Sequence, residues 1–525
     1  MKNKIISFFF ISIVLLSSIQ FLVSSNLINL KLNWDEVDYI SAAKKGVIEN
    51  AFDFQSTNLF EFIKIGYFKT KNDKEKVKKL ALKLPEQSND TYYLRHFHPV
   101  LPVYYWSFFL DKDLNIQDNK IRISNAIIYT IVISCLIFFC FFIKEIKTYN
   151  LFLIFLFLSS IFTNNYIIHS FSIINYHTFY SLILIFHIFC LIKFYQRNSN
   201  INFYFLAISL SLLIITLETF AFSLVSLFIS IILLNKNLEK KFSLKNIFNF
   251  GILSFVLSIF LWPSIILNGT IVKTFLSFFY RLFFQSNAEY ENIKYFIEWK
   301  NFFVSNYLFF LLIISILLIN IILRNKFPLF GKIPLIYGFT YAFIMTPFII
   351  NQAYLLPFII SLIFSCVIIL SFLKFDNIIG YLVFIFISLF SIINIYTNQK
   401  SFLNFTYYAN EVQNYNHGLN KVIEILNQTE YTNKNILADG DHIFKHYTKN
   451  KNIYNLSLLD RKNPSFYSRS NYSYVNLEDK IKNNFFNLII IDKYRNYKKS
   501  KFDFLKKNNY VLHSTLRYNV FILKK

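Results

Sequence analysis

From Ile5 to about Thr397, apolar runs of about twenty residues follow one another with short polar links between them. Each is long enough to cross ~30 Å of hydrocarbon as a helix. Hydrocarbon offers no water to unpaired N–H and C=O groups, so a chain of this kind must bond its backbone within each segment. That requirement selects a helical bundle over a barrel. Eleven runs are expected to span: 5–25, 121–143, 150–168, 172–193, 202–217, 219–235, 247–268, 303–323, 333–350, 353–373 and 378–396. The first resembles a signal peptide in its Lys2 and Lys4, but it is too long for a signal core and lacks a small-x-small cleavage site. It reads as an uncleaved span.

The net charge of +24 invites a nucleic-acid reading, but the distribution of charge argues against it. Many basic residues sit in short links. With Lys2 and Lys4 inside, alternation places Lys144–Lys147, Lys193–Arg197, Lys236–Lys245, Arg324–Lys332 and Lys374 inside as well, and all are basic. Positive charge inside is the normal bias of membrane proteins. The aromatic, proline-broken stretch His98–Leu110 would reverse this alternation if it spanned, so it is assigned to an interfacial helix. The outer regions are then the loop 26–120, the loop 269–302 and the tail 397–525. Cys135, Cys140, Cys190 and Cys366 all lie within apolar runs and show no metal or redox spacing.

The chain divides into a transmembrane part, 1–396, and a soluble extracytoplasmic part, 397–525, of different composition. In the tail, Asn435–Ala438 and Phe486–Ile491 read as strands, Asp441–Tyr447, Asn476–Asn484 and Phe502–Asn508 as helices, and Val511–Leu516 with Tyr518–Leu523 as a hairpin. The fold class expected is therefore an all-α polytopic membrane bundle with a long first outer loop and a small α/β C-terminal domain.

The strongest chemical signal follows the first span directly: Asn33-Trp34-Asp35-Glu36-Val37-Asp38-Tyr39. Adjacent carboxylates near a membrane are costly unless paired or bound to a cation. On a helix, Asp35, Asp38 and Tyr39 share a face, and Glu36 points about 100° away. The set suits a general base beside a hard or borderline cation. The plainer alternative is that the acids cap a helix start, where carboxylates are favoured. Further candidates are Arg95, His96 and His98 before the interfacial aromatics, Arg122 at the start of the second span, Lys273 and Arg281 in the second outer loop, Glu218, and Gln352 and Tyr354. Histidines suit metal, and an arginine fork suits phosphate. Each also has a structural alternative, such as polar loop residues or an arginine snorkelling to the interface.

The order of these elements resembles the type-C (GT-C) membrane glycosyltransferases, the group that includes protein O-mannosyltransferases and bacterial aminoarabinose transferases. Asp35-Glu36 with Tyr39 and Ala42-Ala43 is similar to their first-loop acidic pattern. His98-Pro99-Val100-Leu101-Pro102 resembles their interfacial His-Pro-Pro-Leu segment, and Arg122 the basic residue that follows. Ala353-Tyr354-Leu355-Leu356-Pro357 resembles a late Arg-Tyr-Leu-Leu-Pro stretch but lacks its arginine, and Glu218 stands where many relatives are basic. The likeness runs from residue 1 to about 396.

One base and direct displacement predict inversion, by analogy with inverting glycosidases; the resemblance implies an enzyme taking a sugar from a polyprenyl-phosphate donor to a glycan, lipid or protein acceptor. It assigns Asp35 as general base, Glu36 to the acceptor or, with His98, to a divalent metal, and Arg122, Lys273 and Arg281 to the donor phosphate. The competing class is a transporter or flippase of lipid-linked glycans, which would need no acidic pair and commonly shows internal repeats. A third is a structural subunit of the envelope whose acids merely cap a helix.

Overall fold

The apolar runs carry helices throughout. The computed structural model describes residues 2–52, 59–71, 73, 76, 99–109, 118–143, 145–197, 199–217, 219–235, 244–280, 295–322, 329–345, 352–375, 378–450, 452–455, 477–493, 505–515 and 517–524. Among the described residues, each of the eleven expected segments carries apolar helix, interrupted within 150–168, 247–268 and 303–323. Among the described residues, four are long and apolar enough to cross alone: Asn3–Ser24, Asn119–Ile143, Tyr176–Gln196 and Ile378–Lys400. A fifth is formed if Trp299–Ser305 and Tyr307–Ile319, bent by 84°, act as one broken span. The rest, such as Thr148–Phe162 and Asn200–Ile214, are shorter. At 1.5 Å per residue, the shortest reach little more than about 20 Å. The chain is an integral membrane protein by these helices and by its fold, and its span count is not fixed by helix length alone.

Helices pack through small and polar residues, as they must where lipid offers no hydrophobic drive between them. The Leu329–Met345 and Leu356–Phe372 helices approach closely at Gly338, where an added Cβ would sit 3.1 Å from Ser361 Cβ. Asn150 donates to the carbonyls of Leu370 at 2.6 Å and Leu373 at 3.0 Å, satisfying the end of a helix that is buried along nearly its whole length. His187 joins three helices, with Nδ1 2.9 Å from Ser209 Oγ and Nε2 3.0 Å from Tyr337 Oη.

Among the described residues, the links at Lys147, Lys193 and Lys374 gather at one end. Asn3 donates to Ile146 O at 2.9 Å, Gln196 to Ile143 O at 3.1 Å, and Lys193 to Phe142 O. The Asn150–Leu373 bond brings the residue before Lys374 to the same end. The acidic segment lies beyond Ser24, at the opposite end of the first helix.

Within the stretch 98–110, of which 99–109 are described, Leu101–Ser107 forms a helix of seven residues, too short to span. One side of it packs inward: Val103 and Trp106 are fully buried, Leu101 N–H donates to Ile215 O at 2.8 Å, and Tyr104 donates to Leu261 O at 2.9 Å, while Phe108 just after it is exposed.

The C-terminal region folds as an α/β unit. An amphipathic helix, Phe405–Leu426, precedes a five-stranded sheet of β1 (Ile436–Ala438), β2 (Ile453–Asn455), β3 (Leu488–Asp492), β4 (Tyr510–Ser514) and β5 (Tyr518–Leu523). The order is β2-β1-β3-β5-β4, parallel over the first three strands and antiparallel over the last three. The buried β3 reads as an unbroken apolar run, as parallel strands covered on both faces do. Gly440, at φ +71°, turns β1 directly into the Asp441–Tyr447 helix. The sequence reading missed β2 and the Phe405–Leu426 helix. Three-residue strands carry little periodicity, and the helix carries many Asn and Tyr residues, which favour helix only weakly.

Candidate functional site

Asn33, in an extended conformation, opens the acid helix Trp34–Ala43. Its N–H donates to Glu36 Oε2 at 3.0 Å, while Glu36 N–H donates back to Asn33 O at 2.9 Å. Glu36 therefore fills the capping position that the plainer sequence reading foresaw. It also does more. Arg122, fully buried on the Asp118–Ile143 helix, forks onto it: Nη1 reaches Oε1 at 3.2 Å and Nη2 reaches Oε2 at 3.1 Å. Ile174 N–H donates to Oε1 at 3.0 Å. Each carboxylate oxygen thus accepts two N–H groups, the full capacity of the ion.

Arg122 is equally occupied. Its Nε donates to Leu30 O at 2.9 Å, Nη1 also to Ser172 O at 3.1 Å, and Nη2 also to Lys31 O at 3.4 Å. The five donors of the guanidinium meet five protein acceptors. The expected roles were a phosphate for Arg122 and an acceptor or metal for Glu36. In this structure the two hold each other and lock three chain segments together. A metal on Glu36 does not fit this donor set, because no lone pair is left to face one. Among the described residues no group of three or more His, Cys, Asp or Glu is placed to hold a cation.

The rest of the acid helix faces inward. Asp38 is 4% exposed and Tyr39 9%. Tyr39 stacks on Trp106 at 5.6 Å and meets Tyr176 edge-on at 4.7 Å, and Trp106 and Tyr176 close the triangle at 5.5 Å. Beside Tyr176, His177 lies against Tyr354, ring centres 4.4 Å apart. Tyr354 is thus brought to this neighbourhood from the segment Gln352–Leu355. Sequence reasoning missed Tyr176 and His177. Their only signal was polarity at the mouth of an apolar run, with Asn175 capping the helix through Thr178 N–H at 2.9 Å.

Lys273 lies on the Thr270–Tyr280 helix and is 3% exposed, a buried ammonium near the end of an apolar segment. Arg95, His96, His98, Glu218 and Arg281 lie outside the described residues, as do the side chains of Asp35 and Gln352; Asp35 occupies the second position of the acid helix.

An apolar groove of about 170 Å³ runs between the first helix and its neighbours, lined by Phe10, Val14, Phe21, Tyr129, Phe162 and Phe402. Ser172 also lines it, and the Ser172 carbonyl is one of the acceptors of Arg122. The groove therefore reaches the clamp that fixes the acid helix.

A helical membrane bundle, an acidic helix directly after its first helix and a C-terminal α/β unit together make up a fold that solved membrane-protein structures share. The particular solved structures that share it are of ArnT from Cupriavidus metallidurans. The form bound to undecaprenyl phosphate matches with a TM-score of 0.55 at 9% identity, over 98% of this chain and 97% of that one. The apo form matches with a TM-score of 0.58 at 9% identity, over 99% and 98%. No family model matches the sequence, and no curated protein does.

Proposed function

We propose that the chain is a membrane glycosyltransferase that moves a sugar from a polyprenyl-phosphate donor to an envelope acceptor on the extracytoplasmic face. The observation that carries this is the clamped acid helix. Its first turn holds Asp35, its position is fixed by the eight hydrogen bonds that Arg122 and Glu36 make between them, and it sits at the end of the bundle away from the basic links. The likeness to ArnT, one form of which binds undecaprenyl phosphate, supports the class of donor.

In the reaction, the acceptor hydroxyl gives its proton to Asp35 as its oxygen attacks the anomeric carbon. The new C–O bond forms on the face opposite the donor phosphate. The bond from that carbon to the phosphate oxygen breaks, and polyprenyl phosphate leaves with the electron pair. One base and a single displacement invert the anomeric centre, by analogy with inverting glycosidases. The leaving phosphate needs a cation as charge develops on it. Lys273 is assigned this role, with Arg281 beside it in sequence. Its burial supports this, since a desolvated ammonium interacts far more strongly with an anion than an exposed one. The groove at Phe21 and Tyr129 suits part of the isoprenoid chain.

Glu36 and Arg122 are assigned as positioning residues and Asp35 as the catalytic one. Asp38, Tyr39, His177 and Tyr354 are candidates to line the acceptor. The basic end faces the cytoplasm on this reading, which puts the acid helix and the sheet outside.

The test uses the purified full-length protein in detergent with a panel of undecaprenyl-phosphate-linked sugars and envelope acceptors. Transfer by the wild type and its loss in Asp35→Asn, with membrane insertion intact, is the expected outcome. Full transfer by Asp35→Asn removes the base assignment. Lipid movement in vesicles without transfer makes the protein a transporter.

A further inference from the structure

The four residues before the acid helix form a bare strand with no sheet around it, and its backbone groups must be satisfied some other way. From Leu30 to Asn33 each of them is. Leu30 N–H donates to Leu27 O at 3.1 Å, Asn33 N–H to Glu36 Oε2 at 3.0 Å, and Asn33 O accepts Glu36 N–H at 2.9 Å. Leu30 O and Lys31 O accept from Arg122. The remaining three partners all come from the C-terminal region. Lys31 N–H donates to Asn416 Oδ1 at 3.0 Å, Leu32 N–H donates to the Tyr447 hydroxyl at 2.6 Å, and Leu32 O accepts from the Tyr415 hydroxyl at 3.4 Å. Asn416 Nδ2 reaches one residue further back, to Asn29 O at 2.8 Å, and the Lys31 ammonium lies 4.7 Å from the Tyr447 ring centre.

Local sequence explains how the region makes this grip. Val412, Tyr415, Asn416 and Leu419 fall at spacings of three and four on the Phe405–Leu426 helix, so they share one face. Val412 and Leu419 bury, leaving Tyr415 and Asn416 between them at the strand. Tyr447 ends the Asp441–Tyr447 helix, whose Asp441, His442, Ile443 and Phe444 are buried. Arg517, ion-paired to Asp492 at 2.9 Å, lies over the Tyr415 ring at 4.3 Å and backs it from the sheet side. Both helices are thus anchored in the sheet before they touch the strand.

We propose that Asn416 and Tyr447, with Tyr415, are positioning residues of the glycosyl-transfer site. The C-terminal region sets where the acid helix starts and so where Asp35 stands. It is half of a clamp whose other half is Arg122, and not an appended module. The proposal rests on Asp35 being the base. A carboxylate must lie within about 3 Å of the proton it takes. Misplacement by about 1 Å is enough to lower a rate by up to about a hundredfold. The two bonds made by Asn416 and Tyr447 fall two and one residues before the helix cap, where a shift is passed on to the first turn.

The experiment uses the full chain with Tyr447→Phe, Asn416→Leu, the double variant and the milder Asn416→Asp, which keeps the acceptor for Lys31. Hydrogen exchange read at the amides of Lys31 and Leu32 is independent of activity. Exchange should quicken at least about tenfold in the single variants, because a free amide replaces a protected one. With the donor panel above, kcat should fall about tenfold in each single variant and about a hundredfold in the double, with the donor KM within about twofold. Asn416→Asp should recover part of the lost kcat. Unchanged exchange overturns the clamp. Quickened exchange with wild-type kcat overturns the positioning role. Absence of transfer by the wild type overturns the functional reading, and the positioning role with it, while quickened exchange still establishes the anchor.

Discussion

Glu36 and Arg122 show what a buried pair does beyond its Coulomb attraction. A buried ion pair alone is often matched by apolar residues of equal volume, because both ions lose their hydration. Here the pair also satisfies Leu30 O, Lys31 O, Ser172 O, Asn33 N–H and Ile174 N–H. Arg122→Ala strands a buried carboxylate and should destabilise the chain by about 3–5 kcal/mol. Thermal unfolding in detergent, followed by size exclusion, measures it. The double change Arg122→Met with Glu36→Leu should not restore stability, since five backbone groups stay unpaired; recovery to wild type would show that only the charges mattered. Arg122→Lys should fail as well, because one ammonium cannot reproduce a five-donor fork. Both residues stood out in the sequence, but with other roles. A sequence displays that a side chain is charged and near a membrane end. It does not display what lies across from it, and Leu30, Ser172 and Ile174 give no chemical signal at all.

The acid helix, the Phe405–Leu426 helix and the Asp441–Tyr447 helix work as one element. Their junction carries a testable pH dependence. Burial, with Lys44, His442 and Lys31 nearby, pushes His446 from its ordinary value of 6.5 down to about 3. Between those values the unfolded chain holds the proton and the folded one does not, so stability is lost as pH falls below about 6.5. The loss approaches roughly 1 kcal/mol per pH unit for one such group. Asp441 acts in a lower window: burial raises it, but Lys445 at 2.9 Å and His442 together outweigh burial and hold it below the usual carboxylate range. Its contribution is lost only as pH falls beneath about 4. The protection factor at Leu32, which is exchange corrected for its intrinsic pH dependence, should therefore fall between pH 7 and 5, and His446→Gln should flatten that dependence. Gly418 tests packing at the same junction. An added Cβ would meet Arg517 Cβ at 2.9 Å, so Gly418→Ala should cost about 1–3 kcal/mol despite alanine's better helix propensity. Stability at or above wild type would mean that the helix shifts freely.

Across the whole molecule, charge and length act at different ranges. The gathering of the Asn3, Ile146, Lys193 and Leu373 ends at one pole agrees with the alternation of basic links. Its placement in the cytoplasm is open to labelling. Cys140, Cys190 and Cys366 are buried and Cys135 is partly so, which leaves a quiet background. Asn433→Cys, at an exposed position in the C-terminal region, should react with an impermeant maleimide in intact cells; Lys147→Cys, also exposed, should react only after permeabilisation. The reverse pattern would invert the chain and remove the extracytoplasmic assignment.

The sequence by itself determined the membrane bundle, because hydrocarbon demands long apolar helices and each run answers that demand locally. It located the acid helix and most of the sheet from short-range pattern. Tertiary structure alone decided the rest. One side of the Leu101–Ser107 helix packs against Tyr39, Tyr176 and Ile215, none of them near it in sequence. Glu36 and Arg122, 86 residues apart, became a clamp, and Asn416 and Tyr447, 385 and 415 residues from their partners, became its other jaw. The physical reason is that apolar burial depends on local composition, which a chain states openly. A hydrogen bond depends on the position of two groups to a few tenths of an ångström, and only the folded chain sets that.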